Sequence, residues 1–345
     1  MTSTSLSFLT EPTTSPVEEE SVVSNDYSTS VGALILSLVF LLGLPGNLFV
    51  IWSIMRCIRK RSVTAILILN LACADGFLMA LTIFFIIYLG KRTWIFGNGM
   101  CKIMFYLCNA NMYASIFLIT LMSMHRMVAV VHPHKLHMIT RAIMKRVILC
   151  MWVLVMVISV PSLVFRDVII KHDKMNKTID VCMPNHTKPS HARFQYTLET
   201  VSAFIIPYAI IIFCYVLILR RLRQTHFHNK VRSEKLILAI VTTFGIFWLP
   251  YHLINMVEVT AKWYPRDSKT RAILDNIHTT SRVVTSTLAF ISSCANPILY
   301  TFAGKSYIKK NGFAFMAKLF EGTSSEQLRN TKSQTEIEYN GRLRL

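Results

Sequence analysis

Residues 64–89 read TAILILNLACADGFLMALTIFFIIYL, an almost wholly apolar stretch that carries a single charged residue, Asp75, near its middle. About 20 apolar residues are enough for a helix to cross the hydrocarbon core of a bilayer. The apolar residues run continuously and do not alternate with polar ones, which argues against a strand of a transmembrane barrel. We therefore predict that this stretch is a membrane-spanning helix.

Six further stretches of the same kind lie on either side of it, and we number all of them in chain order as spans 1 to 7. The predicted spans are 31–57, 64–89, 99–131, 143–165, 194–220, 234–261 and 272–302. The chain is 53% hydrophobic and only 16% charged, and a soluble domain cannot hide so much apolar surface in such regular lengths. The predicted fold is an all-α membrane protein, a seven-transmembrane helix bundle followed by a short amphipathic helix.

The net charge of +19 follows the predicted membrane topology and does not indicate a nucleic-acid partner. Basic residues gather after spans 1, 3, 5 and 7, at 56–61, 135–146, 220–235 and 305–310. The positive-inside rule places these four segments in the cytoplasm. The polar N-terminal segment with Glu18, Glu19 and Glu20 is then extracellular, and the protein is a multi-pass protein of the plasma membrane.

The two ends of the chain differ in composition from the spans between them. We predict an extracellular disordered N-terminus at 1–30, a seven-transmembrane domain at 31–303, an amphipathic membrane-surface helix at 304–321 and a cytoplasmic disordered tail at 322–345. Segments rich in Ser, Thr, Glu and Pro bury too little apolar surface to fold.

Two of the eight cysteines face the oxidising side of the membrane in this topology. Cys101 begins span 3 and Cys182 lies in the loop between spans 4 and 5, so we expect a disulfide that fixes this loop over the bundle. Asn176 and Asn185, in the same loop, begin glycosylation sequons. No metal-ligand spacing occurs, and no nucleophile or acid–base set that would indicate an enzyme is visible.

Asp75 and several polar residues at similar depth mark a site inside the membrane, where ionisable groups are costly. The other members are Asn47, Asn111, Ser115, Ser292 and Asn296. One interpretation is a polar cluster that holds helices together. The other is a sodium ion bound at Asp75 that stabilises one of two states.

Landmarks in all seven spans together resemble those of the rhodopsin-like G-protein-coupled receptors. They are Gly46-Asn47, Asp75, Cys101, Arg126, Trp152, Pro207, Tyr215, Trp248, Pro250 and the run NPILY at 296–300. Within that family, five runs resemble the leukotriene B4 receptors and lean towards the high-affinity subtype. They are GLPGN at 43–47, KRSVTA at 60–65, NMYAS at 111–115, FWLPYH at 247–252 and AKLFEGT at 317–323.

This resemblance implies a dihydroxy fatty acid as ligand, which needs a cation for its carboxylate, partners for its hydroxyls and an apolar channel. Arginine suits a carboxylate because its planar fork can bond both oxygens. The predicted ligand-binding residues are Arg166, Arg282, Arg193, Glu199, Tyr113, His252, Asn255 and Phe105. For Arg193, a side chain that extends to the lipid headgroups is an equally good interpretation.

Phe105 departs from the leukotriene B4 receptors, which typically carry a histidine four residues after the outer cysteine of span 3. The loss of a polar contact leads to the hypothesis that affinity for leukotriene B4 is lowered. Substituting histidine for Phe105 should tighten binding, and an unchanged affinity would count against the hypothesis.

The resemblance also implies a two-state switch in the inner half of the bundle. Inner span 6 would swing outward about Pro250 while Trp248 and Phe244 repack against Ile116 and Pro207, and an opening for a G-protein helix would form. The residues assigned to this switch are His125, Arg126, Tyr215, Phe244, Trp248, Pro250, Pro297 and Tyr300.

His125 is a second departure, because the family's usual Asp-Arg-Tyr triplet reads His125-Arg126-Met127. Histidine cannot hold Arg126 by the usual salt bridge, although Glu234 is another candidate acceptor. Basal signalling should therefore exceed that of a His125→Asp variant. Equal basal activity in the two would refute the idea that this salt bridge stabilises the resting state.

The predicted function is a receptor for leukotriene B4 or a related oxylipin that transmits chemoattractant signals through heterotrimeric G proteins of the inhibitory class. Membrane lipid, arrestin and receptor kinases are further expected partners, the last two through Ser and Thr residues at 323–335. A peptide or other chemoattractant ligand and a non-signalling scavenger receptor remain open. A transporter or channel would show internal repeats and intramembrane charge chains, and neither is visible.

Overall fold

The computed structural model describes residues 26–57, 62–172, 177–224 and 231–311. Spans 1, 2 and 3 are the helices Asp26–Cys57, Val63–Lys91 and Gly97–Val131. Span 4 consists of Arg141–Ile158 and Val160–Val164, and span 5 of Pro189–Thr200 and Ile206–Gln224. Spans 6 and 7 are Val231–Ala261 and Lys269–Asn311.

These helices confirm the predicted seven-span bundle. In the described part of the chain, six of them, spans 1 to 6, are long and apolar enough to cross a membrane. Span 7 is more polar, with Lys269, Arg271 and Asp275 in its first two turns. Its outer end thus carries charges above the apolar part of the helix.

Local sequence explains where several helices begin and bend. The side-chain oxygens of Ser62 and Thr140 accept hydrogen bonds from the backbone N–H groups of Ala65 and Ile143, which caps spans 2 and 4. Span 5 contains a π-helical turn, Val201–Ile205, just before Pro207. Such turns accommodate an extra residue, and they often lie at functional sites.

Span 3 lies at the centre of the bundle and packs against spans 2, 4, 5 and 6. Span 1 packs between spans 2 and 7, and span 7 packs most closely on span 6. The largest buried apolar cluster includes Tyr113, Ile116, Phe244 and Trp248, below the middle of spans 3 and 6. The polar residues described below lie just above this cluster, towards the outer ends of spans 5 to 7, and beside it in spans 1, 2 and 7.

The loop between spans 4 and 5 forms an antiparallel β-hairpin of β1, Arg166–His172, and β2, Thr178–Pro184, which the sequence analysis did not predict. Cys182 pairs with Val168 across the hairpin and forms the predicted disulfide with Cys101. Trp94 packs beneath the hairpin in a second apolar cluster. The disulfide and this cluster fix the hairpin over the outer opening of the bundle.

The terminal predictions fall largely outside the described residues. Span 1 begins at Asp26, five residues before its predicted start. Residues 304–311 continue the helix of span 7, and the remainder of the predicted amphipathic helix, 312–321, lies outside the described residues. Residues 1–25 of the predicted N-terminal segment, the predicted tail 322–345 and the sequon residue Asn176 lie outside them as well.

Candidate functional site

Glu199 of span 5 is the centre of a buried hydrogen-bond network in the outer half of the bundle. Its Oε1 accepts bonds from Asn109 Nδ2 at 3.0 Å and Gln195 Nε2 at 2.9 Å. Its Oε2 accepts bonds from the Tyr251 hydroxyl at 3.0 Å and Asn255 Nδ2 at 3.3 Å. Four donors from spans 3, 5 and 6 thus balance one carboxylate that is only 3% exposed.

Arg282 of span 7 joins the same network from the opposite side. Its guanidinium donates to Asn255 Oδ1 at 2.5 Å and to the Tyr251 hydroxyl at 3.2 Å. The structure connects Glu199 to Arg282 through Tyr251 and Asn255, which compensates both charges without direct contact.

Arg166, the first residue of β1, has a different environment. Its guanidinium carbon lies 3.5 Å from the centre of the Phe105 ring, a cation–π contact. Among the described residues, no hydrogen bond or ion pair reaches this guanidinium. It lies near enough to Arg282 and Glu199 to interact with them electrostatically, so a second cation with unused donors lies beside the Glu199 network.

Arg193 lies away from this network, near the outer ends of spans 5 and 6. Its guanidinium carbon is 4.3 Å from the ring centre of Trp263, whose side chain is 71% exposed. A cation on an exposed indole is typical of the membrane–water interface. The structure therefore separates Arg193 from the other predicted ligand-binding residues.

Tyr113 and His252 lie deeper, between the Glu199 network and Trp248. The Tyr113 hydroxyl accepts a hydrogen bond from Ser202 at 3.3 Å. The Nδ1 atom of His252 lies 3.4 Å from Thr200 Oγ1, and its Nε2 has no hydrogen-bond partner among the described residues. Both side chains are buried, so they offer polar atoms at the bottom of the cavity.

Several members of the site were not predicted from the sequence. Asn109, Gln195 and Tyr251 hold Glu199, and the ring of Tyr196 lies 5.4 Å from the guanidinium carbon of Arg282. Gln195 precedes Glu199 by one helical turn, a spacing that places them on one face. That spacing was a usable signal, whereas the contacts across spans depend on tertiary packing.

A second charged cluster closes the outer ends of spans 6 and 7 and was also missed. Lys262 forms ion pairs with Glu258 at 2.9 Å and Asp275 at 3.2 Å. Arg271 adds a pair with Asp275 at 3.3 Å, and His278 Nδ1 lies 3.4 Å from Glu258. These pairs join the two helices beside the cavity.

Asp75 lies at the centre of the predicted intramembrane polar cluster and is fully buried. It accepts hydrogen bonds from Ser115 Oγ at 3.2 Å and Asn296 Nδ2 at 2.7 Å, which links spans 2, 3 and 7. The amide oxygens of Asn47 and Asn111 are buried and have no hydrogen-bond donor among the described residues. Such oxygens beside a carboxylate suit a hard cation, so the cluster fits a sodium ion.

Ser292, also assigned to that cluster, connects it to span 6. Its hydroxyl accepts a hydrogen bond from Trp248 Nε1 at 2.9 Å. The Trp248 ring stacks on Phe244, with ring centres 5.4 Å apart. Trp248 therefore lies between the polar cluster and the cavity above it, one turn or less from Pro250.

The inner residues of the predicted switch are only partly described. His125 and Arg126 are both buried at the inner end of span 3, and Tyr215 is half-buried on span 5. Pro250 and Pro297 lie inside the helices of spans 6 and 7. The side chains of Glu234 and Tyr300 lie outside the described residues, so the question of an acceptor for Arg126 stays a prediction.

Asn185, the second sequon residue, is exposed at the end of β2. Its Nδ2 donates a hydrogen bond to Asp167 Oδ2 at 3.2 Å. A glycan would be attached at this nitrogen. The position is accessible, and the modification stays a prediction.

Comparison with known proteins gives one family and several close relatives. The family model "7 transmembrane receptor (rhodopsin family)" matches residues 46–300. Leukotriene B4 receptor 1 from Homo sapiens is 36% identical over 304 residues, which cover 87% of this chain and 84% of that receptor. Leukotriene B4 receptor 2 from Homo sapiens is 35% identical over 89% of this chain and 85% of that receptor. C-X-C chemokine receptor type 1 from Oryctolagus cuniculus is 32% identical over 87% of this chain and 84% of that receptor.

Proposed function

Since the chain belongs to the rhodopsin family of seven-transmembrane receptors, we propose that it is a receptor for leukotriene B4 or a closely related oxylipin. It is a multi-pass protein of the plasma membrane and no enzyme, as its family implies. The relatives named leukotriene B4 receptor 1 and 2 match nearly equal shares of it at nearly equal identity. They support the ligand class without favouring either subtype.

The observation that carries the proposal is a half-buried cation with unused donors beside a compensated polar network. Arg166 is held by the ring of Phe105, and its N–H groups have no protein partner among the described residues. Arg282 is already engaged by Asn255 and Tyr251. A ligand carboxylate therefore binds Arg166 first, because that contact displaces no existing hydrogen bond.

The ligand's hydroxyls and chain have matching partners deeper in the cavity. Glu199, Tyr113 and His252 supply acceptors or donors at different depths. Hydroxyl groups bound by such partners are recognised strongly, since an analogue without them leaves buried polar atoms unpaired. The apolar rings of Phe105 and Trp248 flank this path and suit a hydrocarbon chain.

Signalling in this proposal passes through Trp248 and span 6 to a heterotrimeric G protein of the inhibitory class. Trp248 contacts both the cavity residue His252 and the Asp75 cluster residue Ser292. A ligand that binds more tightly when Trp248 is in one rotamer or position increases the population of the span 6 conformation that accompanies it. Receptor kinases and arrestin would then act on the Ser and Thr residues at 323–335.

A peptide chemoattractant is the second candidate, because the relatives include a receptor named for a C-X-C chemokine. The acidic N-terminal residues Glu18, Glu19 and Glu20 would suit a basic peptide. A peptide would bind the outer charged surface and depend little on Arg166. A small acid would depend on Arg166 and little on the N-terminus.

The test is leukotriene B4 binding and G-protein activation in cells that express the full chain. Arg166→Ala should weaken binding about 10- to 150-fold, the equivalent of about 1.5–3 kcal/mol for a charge-assisted contact. Arg282→Ala should also weaken binding. Arg193→Ala, on the same outer side but away from the network, is the matched control and should bind normally.

The outcomes separate the remaining alternatives. Wild-type receptor at the cell surface that fails to bind leukotriene B4 would refute the ligand assignment. Binding without G-protein activation would indicate a scavenger receptor uncoupled at His125, and the His125→Asp variant should then restore signalling.

A further inference from the structure

A groove on the outside of the bundle, between spans 5 and 6, is separate from the ligand cavity. Its cavity volume is about 440 Å³, within the range of about 300–1,000 Å³ found for sites of small organic ligands. Phe204 and Tyr208 lie at its upper end, Val216 and Leu219 at its lower end, and Ile246 on span 6 faces them. The lining is apolar almost throughout.

The groove faces the hydrocarbon of the membrane, so its occupant must be apolar. Phe204 and Leu219 are fifteen residues apart on span 5, a length of about 22 Å along a helix. One leaflet contributes about 15 Å to the hydrocarbon core. The groove is therefore long enough for one extended acyl chain of the adjoining leaflet.

The lower end of the groove opens beside a concentration of positive charge. Leu219 is followed directly by Arg220 and Arg221, and Arg223 lies two residues after Arg221; all three arginines are exposed. This end of span 5 is the predicted cytoplasmic end, where the leaflet carries anionic lipids. An apolar groove that ends at three arginines matches an anionic phospholipid, chain in the groove and phosphate at the arginines.

The walls of the groove are joined by one hydrogen bond across spans 5 and 6. The Tyr208 hydroxyl donates to the backbone oxygen of Val241 at 2.8 Å. Gly245 makes this approach feasible, because a Cβ atom there would lie 2.7 Å from the Tyr208 hydroxyl. A chain in the groove contacts both helices around this bond, so its presence affects how span 6 moves relative to span 5.

We propose that this groove binds one acyl chain of an anionic phospholipid from the cytoplasmic leaflet, with the headgroup at Arg220, Arg221 and Arg223. The site does not depend on which ligand occupies the outer cavity. A bound lipid stabilises the packed arrangement of spans 5 and 6 by filling the space between them.

The experiment uses the full-length receptor, purified in detergent and titrated with phosphatidylserine or phosphatidylcholine, with bound lipid counted by native mass spectrometry. One phosphatidylserine should bind more tightly than phosphatidylcholine. Val216→Trp fills the lower groove and should abolish that adduct. Ile210→Trp is the matched control, since Ile210 is exposed on the same helix outside the groove.

Headgroup recognition is tested by neutralising the arginines. Each Arg→Gln change at 220, 221 or 223 should weaken the phosphatidylserine adduct about fivefold, the equivalent of about 1 kcal/mol for a basic residue near an anionic surface. The double change Lys145→Gln with Arg146→Gln, which neutralises exposed basic residues of span 4, should leave it unchanged.

Three results would overturn the proposal. The first is equal binding of the two lipids to the wild type. The second is an adduct that survives both Val216→Trp and a second groove-filling change, Ile246→Trp, made from the span 6 side. The third is a receptor dimer lost in the same variants, which would assign the groove to a second copy of the chain.

Discussion

Phe105 supports the Arg166 guanidinium, the cation proposed to bind the ligand's carboxylate, at the position where a histidine is typical of the leukotriene B4 receptors. Its ring supports the Arg166 guanidinium at 3.5 Å and makes an edge contact with Phe85. A cation–π contact of this kind is worth about 0.5–2 kcal/mol. Phe105 therefore lacks the polar contact that a histidine would offer the ligand, but its ring holds the Arg166 guanidinium in place.

Substitution of Phe105 by histidine tests which of these effects is larger. We expect Phe105→His to tighten leukotriene B4 binding a few-fold, because one added hydrogen bond is worth about 0.5–1.5 kcal/mol and an imidazole ring still supports Arg166. Radioligand binding at pH 7.4, where the imidazole is mostly neutral, measures the change. Phe105→Leu is the control and should weaken binding, since leucine offers neither contact; an unchanged affinity for the histidine variant would contradict the prediction.

Gly245 is required by a close approach between spans 5 and 6. A methyl group at this position would lie 2.7 Å from the Tyr208 hydroxyl, closer than side-chain atoms approach one another. Gly245→Ala should therefore displace Tyr208, break its bond to Val241 and lower the melting temperature of the purified receptor, at a cost of about 1–3 kcal/mol.

The matched control is Gly90→Ala, because a Cβ at Gly90 in span 2 meets nothing within 4 Å. That variant should be neutral or slightly more stable, since alanine favours a helix over glycine. In a Tyr208→Phe background the effect of Gly245→Ala should shrink. A full effect in that background would show that the hydroxyl is not the obstacle.

The hairpin over the cavity is held to span 3 by one covalent and several polar contacts. The disulfide of Cys101 and Cys182 fixes β2. Asp167 on β1 forms an ion pair with Lys102 at 2.7 Å and accepts a hydrogen bond from Asn98 at 3.2 Å. Both strands are thus fixed to the first turns of the same helix.

Acidification should weaken the contacts that Asp167 makes with Lys102 and Asn98. The hydrogen bonds from Lys102 and then Asn98 hold the pKa of the Asp167 carboxyl below its ordinary value. An acidic group whose pKa is lowered by folding stabilises the folded state at pH values above its unfolded pKa, about 3.9. This stabilisation is lost as the pH falls through the lower pKa of the group in the folded state. The effect is small, because the side chain is partly exposed.

Hydrogen exchange of the hairpin amides at pH 5 and pH 3, corrected for intrinsic rates, measures this loss. Protection of β1 should fall in the wild type. In Asp167→Asn it should already be reduced at pH 5 and change little with further acid. Equal pH dependence in both proteins would assign the effect to another group.

Across the whole molecule, Trp248 lies between the outer polar network and the polar residues in the middle of the bundle. Trp248 contacts His252 above and donates to Ser292 below, and Asp75 joins spans 2, 3 and 7 beside it. A sodium ion at Asp75 would favour the arrangement in which these helices are close together. Ligand binding above and cation binding below then act on one equilibrium.

Sodium should therefore raise the melting temperature of the receptor by a few degrees relative to choline at equal ionic strength, since a ligand stabilises the state that binds it. Asp75→Asn keeps the shape of the side chain and removes its charge, so that variant should show no difference between the two salts. An equal response to sodium in wild type and variant would refute the sodium site and leave the cluster as a link between helices.

The sequence alone determined the number, order and approximate ends of the spans, because burial in lipid requires about 20 apolar residues wherever a helix crosses. It also determined the disulfide and Asp75, since buried charges and outward-facing cysteines are rare enough to stand out. Local signals missed the β-hairpin, because its strands are short and half-exposed.

Only the tertiary structure decided which polar residues act together. Arg166, Arg193 and Arg282 were all candidates for binding a ligand carboxylate. In the structure, Arg166 lies on the ring of Phe105, Arg193 lies on exposed Trp263, and Arg282 is bound within the Glu199 network. The rotation of each helix, set in span 5 by a π-helical turn, decides which side chains face inward. That rotation follows from packing across the whole bundle, which no single stretch of sequence contains.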